Sequence, residues 1–276
     1  MRIAIQGELG SFSHAAALSL VPLGTPFPCA TAGEVLSQLS SGASDAAVIP
    51  VENSLVGSVV DFYDLFFEHS FVIERELQMR IHHNLIGKAG ATLDRIEKVF
   101  SHPIALGQCK RLFAANPQME ASAFYDTAGG VRHVVNSDHP EWAAIAGKQA
   151  AEQYGAVVLR ENIEDRPENY TRFWLIRRHG CAAPESTPTK MSVGFLLENR
   201  PGALLRALSA FAARQLNLTR IESRPVVERP WEYAFYADVT IPGHAEADAA
   251  IQDLRKICTE LKELGRYRTD ESHPNE

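Results

Sequence analysis

The sequence has few of the features that mark secreted, membrane and nucleic-acid-binding proteins. Its 276 residues include four cysteines with no CxxC pair, which excludes a disulfide framework or a cysteine zinc site and fits a reducing compartment. No run of about 18 apolar residues occurs, so no segment is predicted to span a membrane. A formal net charge of −7 argues against nucleic acid as a partner.

Several motifs of catalysis and ligand binding are also missing. The sequence contains no GxSxG and no P-loop, and its Gly7-x-x-Gly10 segment falls short of the dinucleotide fingerprint. His82 and His83 are adjacent rather than four residues apart, so we predict no metal site. The first residues are typical of a strand and lack the features of a signal peptide, which predicts a cytoplasmic protein.

The first 180 residues alternate short apolar runs with helical patterns. We predict helices over 12–20, 59–68, 104–114, 127–135 and 142–154. We predict strands over 3–6, 46–51, 71–80, 98–100, 121–125, 156–159 and 173–177. Such alternation indicates an α/β sheet with helices on both faces. Two series of this kind in one segment suggest two lobes with a cleft between them.

A second region follows a linker over 181–189 that is rich in proline, serine and threonine. Its pattern predicts strands over 190–197, 218–224 and 232–240, with helices over 203–214 and 245–264. This β-α-β-β-α order lacks only the last strand of a ferredoxin-like unit. The polar tail from Thr269 is predicted to be disordered.

Small or hydrogen-bonding residues follow four of the predicted strands, where ligands bind in an open α/β sheet. They are Ser11; Asn53 and Ser54; Ser101 and His102, with Gln108 a turn later; and Thr127, Ala128 and Gly129. Each alone is typical of a helix cap, but their recurrence at four strand ends predicts a cleft for a small anion. The polar segment 161–172 reads as a solvated loop or as part of this site. Thr171 faces the crevice if the strand after that segment is antiparallel to its neighbours.

Seven collinear segments carry a family resemblance. Residues 7–16, 50–59, 101–109, 126–129 and 169–173 are similar to G-x-x-G-[TS]-F-[ST]-x-x-A, P-x-E-N-S-x-x-G, S-H-P-Q-A-L-x-Q-C, D-T-A-[GA] and N-x-T-R-F. Residues 202–205 and 222–225 correspond to GALL and ESRP. Together they resemble the prephenate dehydratase family with a C-terminal ACT domain. Ile104 stands in place of the usual glutamine, and Gly107 and Gly130 in place of alanines, which leaves the fine substrate preference open.

The resemblance implies a fold and an activity. The fold is a bilobed, periplasmic-binding-protein-like (type II) α/β catalytic domain over 1–180, with lobe 1 at about 1–77 and 160–180 and lobe 2 at about 78–159. A ferredoxin-like βαββαβ ACT domain follows over 190–268, and a tail over 269–276. The family converts prephenate to phenylpyruvate with loss of carbon dioxide and the ring hydroxyl. Aromatisation supplies the driving force, so no cofactor or metal is expected.

The resemblance also implies roles for individual residues. Thr171 assists departure of the hydroxyl, beside Arg172 and Phe173, and Arg172 with helix N-termini holds the pyruvyl carboxylate. The ring carboxylate is desolvated without tight pairing. His102 either orients a neighbour or caps its helix. Substrate binding falls to Ser11, Asn53, Ser54, Ser101, His102, Gln108, Thr127, Ala128, Gly129 and Asn169.

The resemblance implies that the ACT domain senses phenylalanine. The implied binding residues are Asn199, Pro201, Gly202, Ala203, Leu204, Leu205, Glu222, Ser223, Arg224 and Pro225. Binding where two such domains meet implies a homodimer or a homotetramer, and feedback requires tighter binding to a less active arrangement. An ACT domain that only dimerises is the alternative.

Other functions stay open at this point. Arogenate dehydratase shares the motif residues and acts on a substrate with an amino group in place of the keto oxygen. A solute-binding protein has the same bilobed plan and does no chemistry. A third alternative is an amino-acid-binding regulator without activity.

Overall fold

The β1 strand (Arg2–Gln6) shows how the sequence builds the first sheet. Ile3, Ala4 and Ile5 are completely buried, as expected for a strand covered on both faces. It pairs in parallel with β2 (Thr25–Cys29) and with β3 (Ala46–Asn53). Two helices follow β1 and β2: α1 (Phe12–Leu20) and α2 (Ala32–Ser40).

A computed structural model gives the fold of residues 1–59, 69–183, 185–226 and 232–271. The chain divides into two units. Unit 1 contains Met1–Ser58 and Gln78–Phe173, and unit 2 contains Val59–Leu77 and Trp174–Glu271. Within the residues that the structure describes, none of the helices has the length and apolar character needed to cross a membrane.

Unit 1 contains two sheets. In the first, the strand order is β11-β3-β1-β2, with β4 (Gly57–Ser58) on β3 and β11 spanning Tyr170–Arg178. The second has the order β10-β6-β9-β7-β8. Its strands are β6 (Asn84–Gly87), β7 (Lys98–Ser101), β8 (Glu120–Ala123), β9 (Trp142–Ala146) and β10 (Val157–Arg160).

The second sheet is covered on both faces. Its helices are α3 (Pro103–Gly107), α4 (Lys110–Ala115), α5 (Thr127–Val135) and α6 (Lys148–Tyr154), with a 3₁₀ turn at Leu93–Arg95. Successive residues of a strand point to opposite faces, and Leu85 and Ile86 accordingly belong to two different buried clusters. The β7 strand is parallel to β8 and β9, whereas β6 is antiparallel to β9 and β10.

Unit 2 contains a βαββαβ fold. In chain order it consists of β12 (Lys190–Leu196), α7 (Ala203–Ala212), β13 (Leu218–Pro225), β14 (Tyr233–Thr240), α8 (His244–Arg255) and β15 (Glu260–Tyr267). The strands form an antiparallel sheet in the order β13-β14-β12-β15, and the buried faces of both helices join its core. Unit 2 also contains β16 (Thr269–Glu271), which pairs with β5 (Phe71–Arg80). The β5 strand in turn pairs with β11.

Three predictions about secondary structure are wrong. The helix predicted over 142–154 is strand β9 followed by helix α6, which begins after Gly147. The helix predicted over 245–264 ends at Arg255, and β15 supplies the strand that the pattern lacked. The tail predicted to be disordered forms β16 over Thr269–Glu271, and the rest of that prediction, over 272–276, lies outside the described residues.

Other predictions have mixed outcomes. The helix predicted over 104–114 is two short helices, α3 and α4, separated at Gln108 and Cys109. The helix predicted over 59–68 lies outside the described residues except for Val59. The division between the two units passes through β5 and β11, so the predicted domain and lobe boundaries stay a prediction.

Candidate active site

Thr171 lies at the start of β11, beside the carboxyl end of β3. Asn53, the last residue of β3, donates a hydrogen bond from Nδ2 to Thr171 Oγ1 at 3.0 Å. The Asn53 Oδ1 atom accepts the backbone N–H of Leu55, which fixes the direction of this amide. Because Thr171 Oγ1 accepts from Asn53, its own proton stays available for a ligand. Thr171 is 9% exposed, so the hydroxyl lies in a largely desolvated position.

Three further side chains extend this contact into a network. Asn53 Nδ2 also donates to Asn169 Oδ1 at 2.8 Å, and Asn169 is completely buried. Asn169 Nδ2 donates to Gln108 Oε1 at 3.1 Å. Gln108 Oε1 lies 2.8 Å from His83 Nε2, and burial lowers the pKa of His83. The structure therefore brings Asn53, Gln108, Asn169 and Thr171 together, as the sequence predicts, and adds His83, which sequence reasoning missed.

Ser54 holds the segment before Thr171 in place. Its Oγ donates to the carbonyl of Glu168 and accepts from the backbone N–H of Tyr170, both at 2.9 Å. Its backbone N–H donates to the carbonyl of Tyr170 at 2.8 Å. The side chain is thus occupied by backbone groups, which favours a supporting role for Ser54 over direct substrate contact.

Arg172 and Phe173 do not share the surroundings of the Thr171 hydroxyl. Successive strand residues point to opposite faces, and Arg172 pairs with Glu52 at 2.6 Å while Thr171 contacts the next residue, Asn53. Phe173 is 1% exposed and belongs to the core. These placements argue against Arg172 as the group that holds a substrate carboxylate, and against a direct chemical role for Phe173.

The residues after β7 have structural partners. Ser101 is completely buried, and its Oγ donates to the carbonyl of Ile145 at 2.6 Å, which argues against substrate contact. His102 Nδ1 accepts the backbone N–H of Ile104 at 3.3 Å. This contact favours the helix-cap alternative for His102.

Two predicted site segments begin helices in unit 1. Ser11 caps α1 by accepting the backbone N–H of His14 at 3.2 Å. Thr127, Ala128 and Gly129 open α5, which is capped by Asp126 through the N–H of Gly129 at 2.7 Å. Ala128 and Gly129 are buried, Thr127 is half-buried, and burial raises the pKa of Asp126. Both helix starts thus have a side-chain cap.

Two positions of the opening segment require glycine because neighbouring atoms lie too close to leave room for a side chain. Gly7 and Gly10 both have a positive φ. A Cβ atom on Gly7 would lie 2.6 Å from Asp126 Oδ2, and one on Gly10 would lie 2.9 Å from the Cα of Ala150. The loop after β1 therefore packs directly on the starts of α5 and α6, two of the helices that cover the second sheet.

The Gly10→Ala substitution is expected to destabilise the protein by more than backbone strain alone. A left-handed residue other than glycine costs about 1–2 kcal/mol, and overpacking adds about 1–3 kcal/mol. Gly90→Ala is the matched control, because its φ of +85° is close to the +83° of Gly10 and a Cβ there would meet nothing within 4 Å. Urea denaturation of both variants measures the difference. Equal losses in the two variants would contradict the close packing of Gly10 on α6.

A cavity of about 520 Å³ adjoins the network in unit 1. It is lined by Leu55, Val56, Ile104, Gly107, Gln108, Lys110, Asp165 and Arg166. The segment 161–169 forms part of its wall and is anchored rather than freely solvated. The backbone N–H of Asp165 donates to the carbonyl of Gln108 at 2.7 Å, and its carboxylate caps α4 through the N–H groups of Lys110 and Arg111.

A smaller cavity of about 160 Å³ lies in unit 2 at the start of α7. It is lined by Leu197, Glu198, Asn199, Arg200, Ala203, Leu204, Tyr233 and Phe235. Three predicted effector residues, Asn199, Ala203 and Leu204, are among them. Pro201 and Gly202 precede the helix, and Leu205 is 70% exposed. The predicted segment 222–225 lies on β13, where Ser223 pairs with Phe235 of β14.

Known protein families match both parts of the chain. The family model for prephenate dehydratase matches residues 3–181, and the model for the ACT domain matches residues 191–259. A bifunctional chorismate mutase/prephenate dehydratase of Stutzerimonas stutzeri is 38% identical over 97% of this chain and 73% of its own length. Arogenate dehydratase/prephenate dehydratase 2, chloroplastic, of Arabidopsis thaliana is 34% identical over 98% of this chain and 73% of its own length.

Two solved structures are similar over nearly the whole chain. One is prephenate dehydratase from Arthrobacter aurescens in complex with L-Phe, with a TM-score of 0.87 and 34% identity over 97% of this chain and 90% of that one. The other is GqqA, described as a novel type of quorum quenching acylase. It has a TM-score of 0.90 and 31% identity over 98% of each chain.

Fold and site together define a lyase: a bilobed α/β dehydratase, periplasmic-binding-protein-like in plan, that is followed by an ACT domain. The threonine hydroxyl lies at the end of a sheet, in a network of amides. The chain belongs to the prephenate dehydratase family. Relatives named for prephenate and for arogenate both occur at this level of identity, so the family fixes the reaction type and leaves the substrate to be tested.

Proposed function

We propose that this chain converts prephenate to phenylpyruvate, with Thr171 as the donor to the departing ring hydroxyl. In this reaction the bond from the ring to its carboxylate breaks, and the electron pair forms a ring double bond. The ring C–O bond breaks at the same time, and the hydroxyl leaves as water once it has gained a proton. Hydroxide is a poor leaving group, so a donor hydrogen bond in the transition state lowers the barrier.

One observation carries the proposal: the hydrogen bond from Asn53 Nδ2 to Thr171 Oγ1. It directs a lone pair of the hydroxyl towards Asn53 and leaves the O–H to point at a ligand. A threonine hydroxyl is a weak acid, so its proton moves late, and a proton from solvent restores it. The amide network supplies neutral donors and acceptors that need no rearrangement as charge develops.

The cavity beside the network suits a dianionic substrate at one end. Lys110 and Arg166 line it and are exposed side chains of positive charge. Gln108 lines the same cavity as these two cations. We assign the pyruvyl carboxylate to this end, because the ring carboxylate must lose its solvation to depart as carbon dioxide.

Incubation of the full chain with prephenate is the direct test. We expect phenylpyruvate to accumulate, measured by its absorbance at alkaline pH. A parallel incubation with arogenate, in which the phenylalanine formed is measured by chromatography, gives the ratio of kcat/KM for the two substrates. A ratio in favour of arogenate would move the assignment to arogenate dehydratase, and turnover of neither substrate would reject the proposal.

An acylase is the second candidate, because GqqA is similar over 98% of the chain. Val56 and Ile104 line the cavity and are 53% and 46% exposed, which gives it an apolar wall that suits an acyl chain. Release of fatty acid from an N-acyl homoserine lactone by the same preparation tests this candidate. The two activities have different products, so each assay is independent of the other.

We further propose that phenylalanine binds the unit 2 cavity and regulates the dehydratase. The backbone N–H groups at the start of α7 suit a carboxylate, and the apolar side chains of Leu204 and Phe235 suit a phenyl ring. The relative from Arthrobacter aurescens was solved with L-Phe. The homodimer or homotetramer and the cytoplasmic location stay predictions.

Phenylalanine is expected to raise the unfolding midpoint of the chain. A ligand at 100 times its Kd stabilises the folded state by about 2.7 kcal/mol. Ala203→Leu fills the cavity and should abolish this shift, whereas Ala212→Leu, on an exposed position of the same helix, should retain it. Differential scanning fluorimetry with and without phenylalanine measures both. An unchanged shift in the Ala203 variant would place the effector elsewhere.

A further inference from the structure

His83 is a buried imidazole at the end of the network that supports Thr171. It is 3% exposed and lies between β5 and β6. Its backbone is held on both sides, since its N–H donates to Glu164 Oε2 at 3.0 Å and its carbonyl accepts from Ile163 at 2.8 Å. The ring packs edge-on against Phe12, with centroids 5.8 Å apart. Its neighbour His82 instead pairs with Glu164 and is partly exposed.

Donor and acceptor accounting fixes the direction of every amide in this chain of contacts. The backbone N–H of Leu55 occupies Asn53 Oδ1, so Asn53 presents its NH₂ group to Asn169 Oδ1. Asn169 must then present its NH₂ group to Gln108, which receives it with Oε1. The atom of Gln108 that faces His83 is this same oxygen. His83 therefore has to donate, and its Nε2 carries the proton.

Only one end of the chain, the Leu55 backbone N–H, is an obligatory donor. The His83 ring is held as a donor from Nε2 because its Nδ1 is buried with no hydrogen-bond partner among the described residues, so a proton moved to Nδ1 would be left unpaired. Reversal of Gln108 would place its NH₂ group against two other N–H donors, which is a large penalty in a buried position. Without His83, only the contact with Asn169 opposes that reversal. Gln108 Nε2 is buried and has no hydrogen-bond partner among the described residues, so nothing on that side of the amide holds it.

We propose that His83 is a positioning residue that acts through Gln108. It holds Gln108 Oε1 towards Asn169 and so keeps Asn169 in the position from which it accepts from Asn53, the donor to Thr171. The expected effect of His83 on kcat rests on the proposed dehydratase function. The expected tautomer of His83 rests on the hydrogen-bond geometry alone. His83 does not touch substrate in this proposal, and its imidazole neither gives nor takes a proton in the reaction.

The tautomer of His83 is the first test, and it is independent of activity. We expect ¹⁵N spectra of the histidine-labelled protein to show a neutral ring protonated on Nε2, assigned by its absence from the spectrum of His83→Gln. Burial already lowers the pKa of this ring, which favours the neutral form. A ring protonated on Nδ1 alone would overturn the proposal whatever substrate the enzyme uses.

Kinetics supply the second test, on whichever substrate the chain turns over. His83→Leu is expected to lower kcat about ten-fold, the effect of one lost hydrogen bond, and to change KM by less than about two-fold. His83→Gln places an amide donor near the same oxygen and should restore most of the loss. His82→Leu is the matched control, because the His82 ring pairs with Glu164 rather than with Gln108, and it should leave kcat unchanged.

A double-mutant cycle distinguishes positioning from general structural damage. If His83 acts through Gln108, the His83→Leu/Gln108→Leu variant should be no slower than Gln108→Leu alone. Additive losses, or a His83→Gln variant as slow as His83→Leu, would show that the imidazole acts otherwise. If the chain turns over neither prephenate nor arogenate, the proposed function fails. The tautomer measurement still tests the hydrogen-bond arrangement around Gln108.

Discussion

Replacement of Thr171 by valine is expected to lower kcat by about 10²- to 10⁴-fold, the usual contribution of a positioned proton donor. Valine keeps the shape and branching of threonine, so the β11 strand should form unchanged. The variant loses the hydroxyl that accepts from Asn53 Nδ2, but that nitrogen keeps its contact with Asn169 Oδ1. We therefore expect KM to change much less than kcat, which steady-state kinetics will measure.

Thr171→Ser is the control for this result. Serine retains a hydroxyl that can accept from Asn53 and donate to the leaving group, so its kcat should stay far above that of the valine variant. Equal unfolding midpoints for the two variants would exclude a difference in folding. A valine variant with the turnover of the parent protein would remove Thr171 from the chemistry, and the family resemblance would then have assigned its role wrongly.

Three elements with strong local signals have the bounds that the sequence predicts. Helix α1 (Phe12–Leu20) follows a serine cap, and α5 (Thr127–Val135) follows an aspartate cap. Strand β5 (Phe71–Arg80) has the alternating pattern of a half-buried strand. In these cases the side chains that start and stop the element lie within the element or next to it.

The wrong predictions come from segments whose structure is decided by distant partners. The alanine-rich Trp142–Ala146 suits a helix locally, but it becomes a strand because it pairs with β6 and β7 on both sides. Small residues then suit its two tightly packed faces. The helix predicted over 245–264 was extended by an apolar stripe that continues into β15, where no glycine or proline marks the change. Thr269–Glu271 forms a strand only because it has β5 to pair with.

The site was predictable as a set of segments and not as a set of contacts. Motif order brings Asn53, Gln108, Asn169 and Thr171 to one crevice, and the structure joins them by hydrogen bonds. Which side chains face inward depends on tertiary packing. Ser101 is buried against the carbonyl of Ile145, for example. The sequence indicates His83 only as a candidate metal ligand, because nothing in its local pattern points to the glutamine that it contacts.

Unit 2 contains a buried ion pair. Loss of its cation is expected to lower the free energy of unfolding more than the other substitutions proposed here. Glu76 of β5 is completely buried and accepts from Lys190 Nζ at 2.7 Å, from Trp174 Nε1 at 3.0 Å and from the hydroxyl of Thr269 at 3.0 Å. These four residues come from β5, β11, β12 and β16. The carboxylate therefore joins β12, the first strand of the ACT domain, to the strands β5, β11 and β16. The indole and hydroxyl donors are neutral and cannot replace the ammonium charge.

Lys190→Met is expected to destabilise the folded chain by about 3–5 kcal/mol, because it removes one partner of a buried ion pair. Calorimetry should show the unfolding midpoint lower by about 10 °C. Lys256→Met is the matched control: its pair with Asp253 is exposed on the lysine side, and such pairs contribute about 0–1 kcal/mol. The Glu76→Gln/Lys190→Met variant removes both charges and keeps an acceptor for Trp174, so it should recover at least part of the loss. If the double variant is no more stable than Lys190→Met, or if Lys190→Met costs no more than Lys256→Met, the charge of Glu76 is balanced by other groups and this ion pair does not hold the strands together.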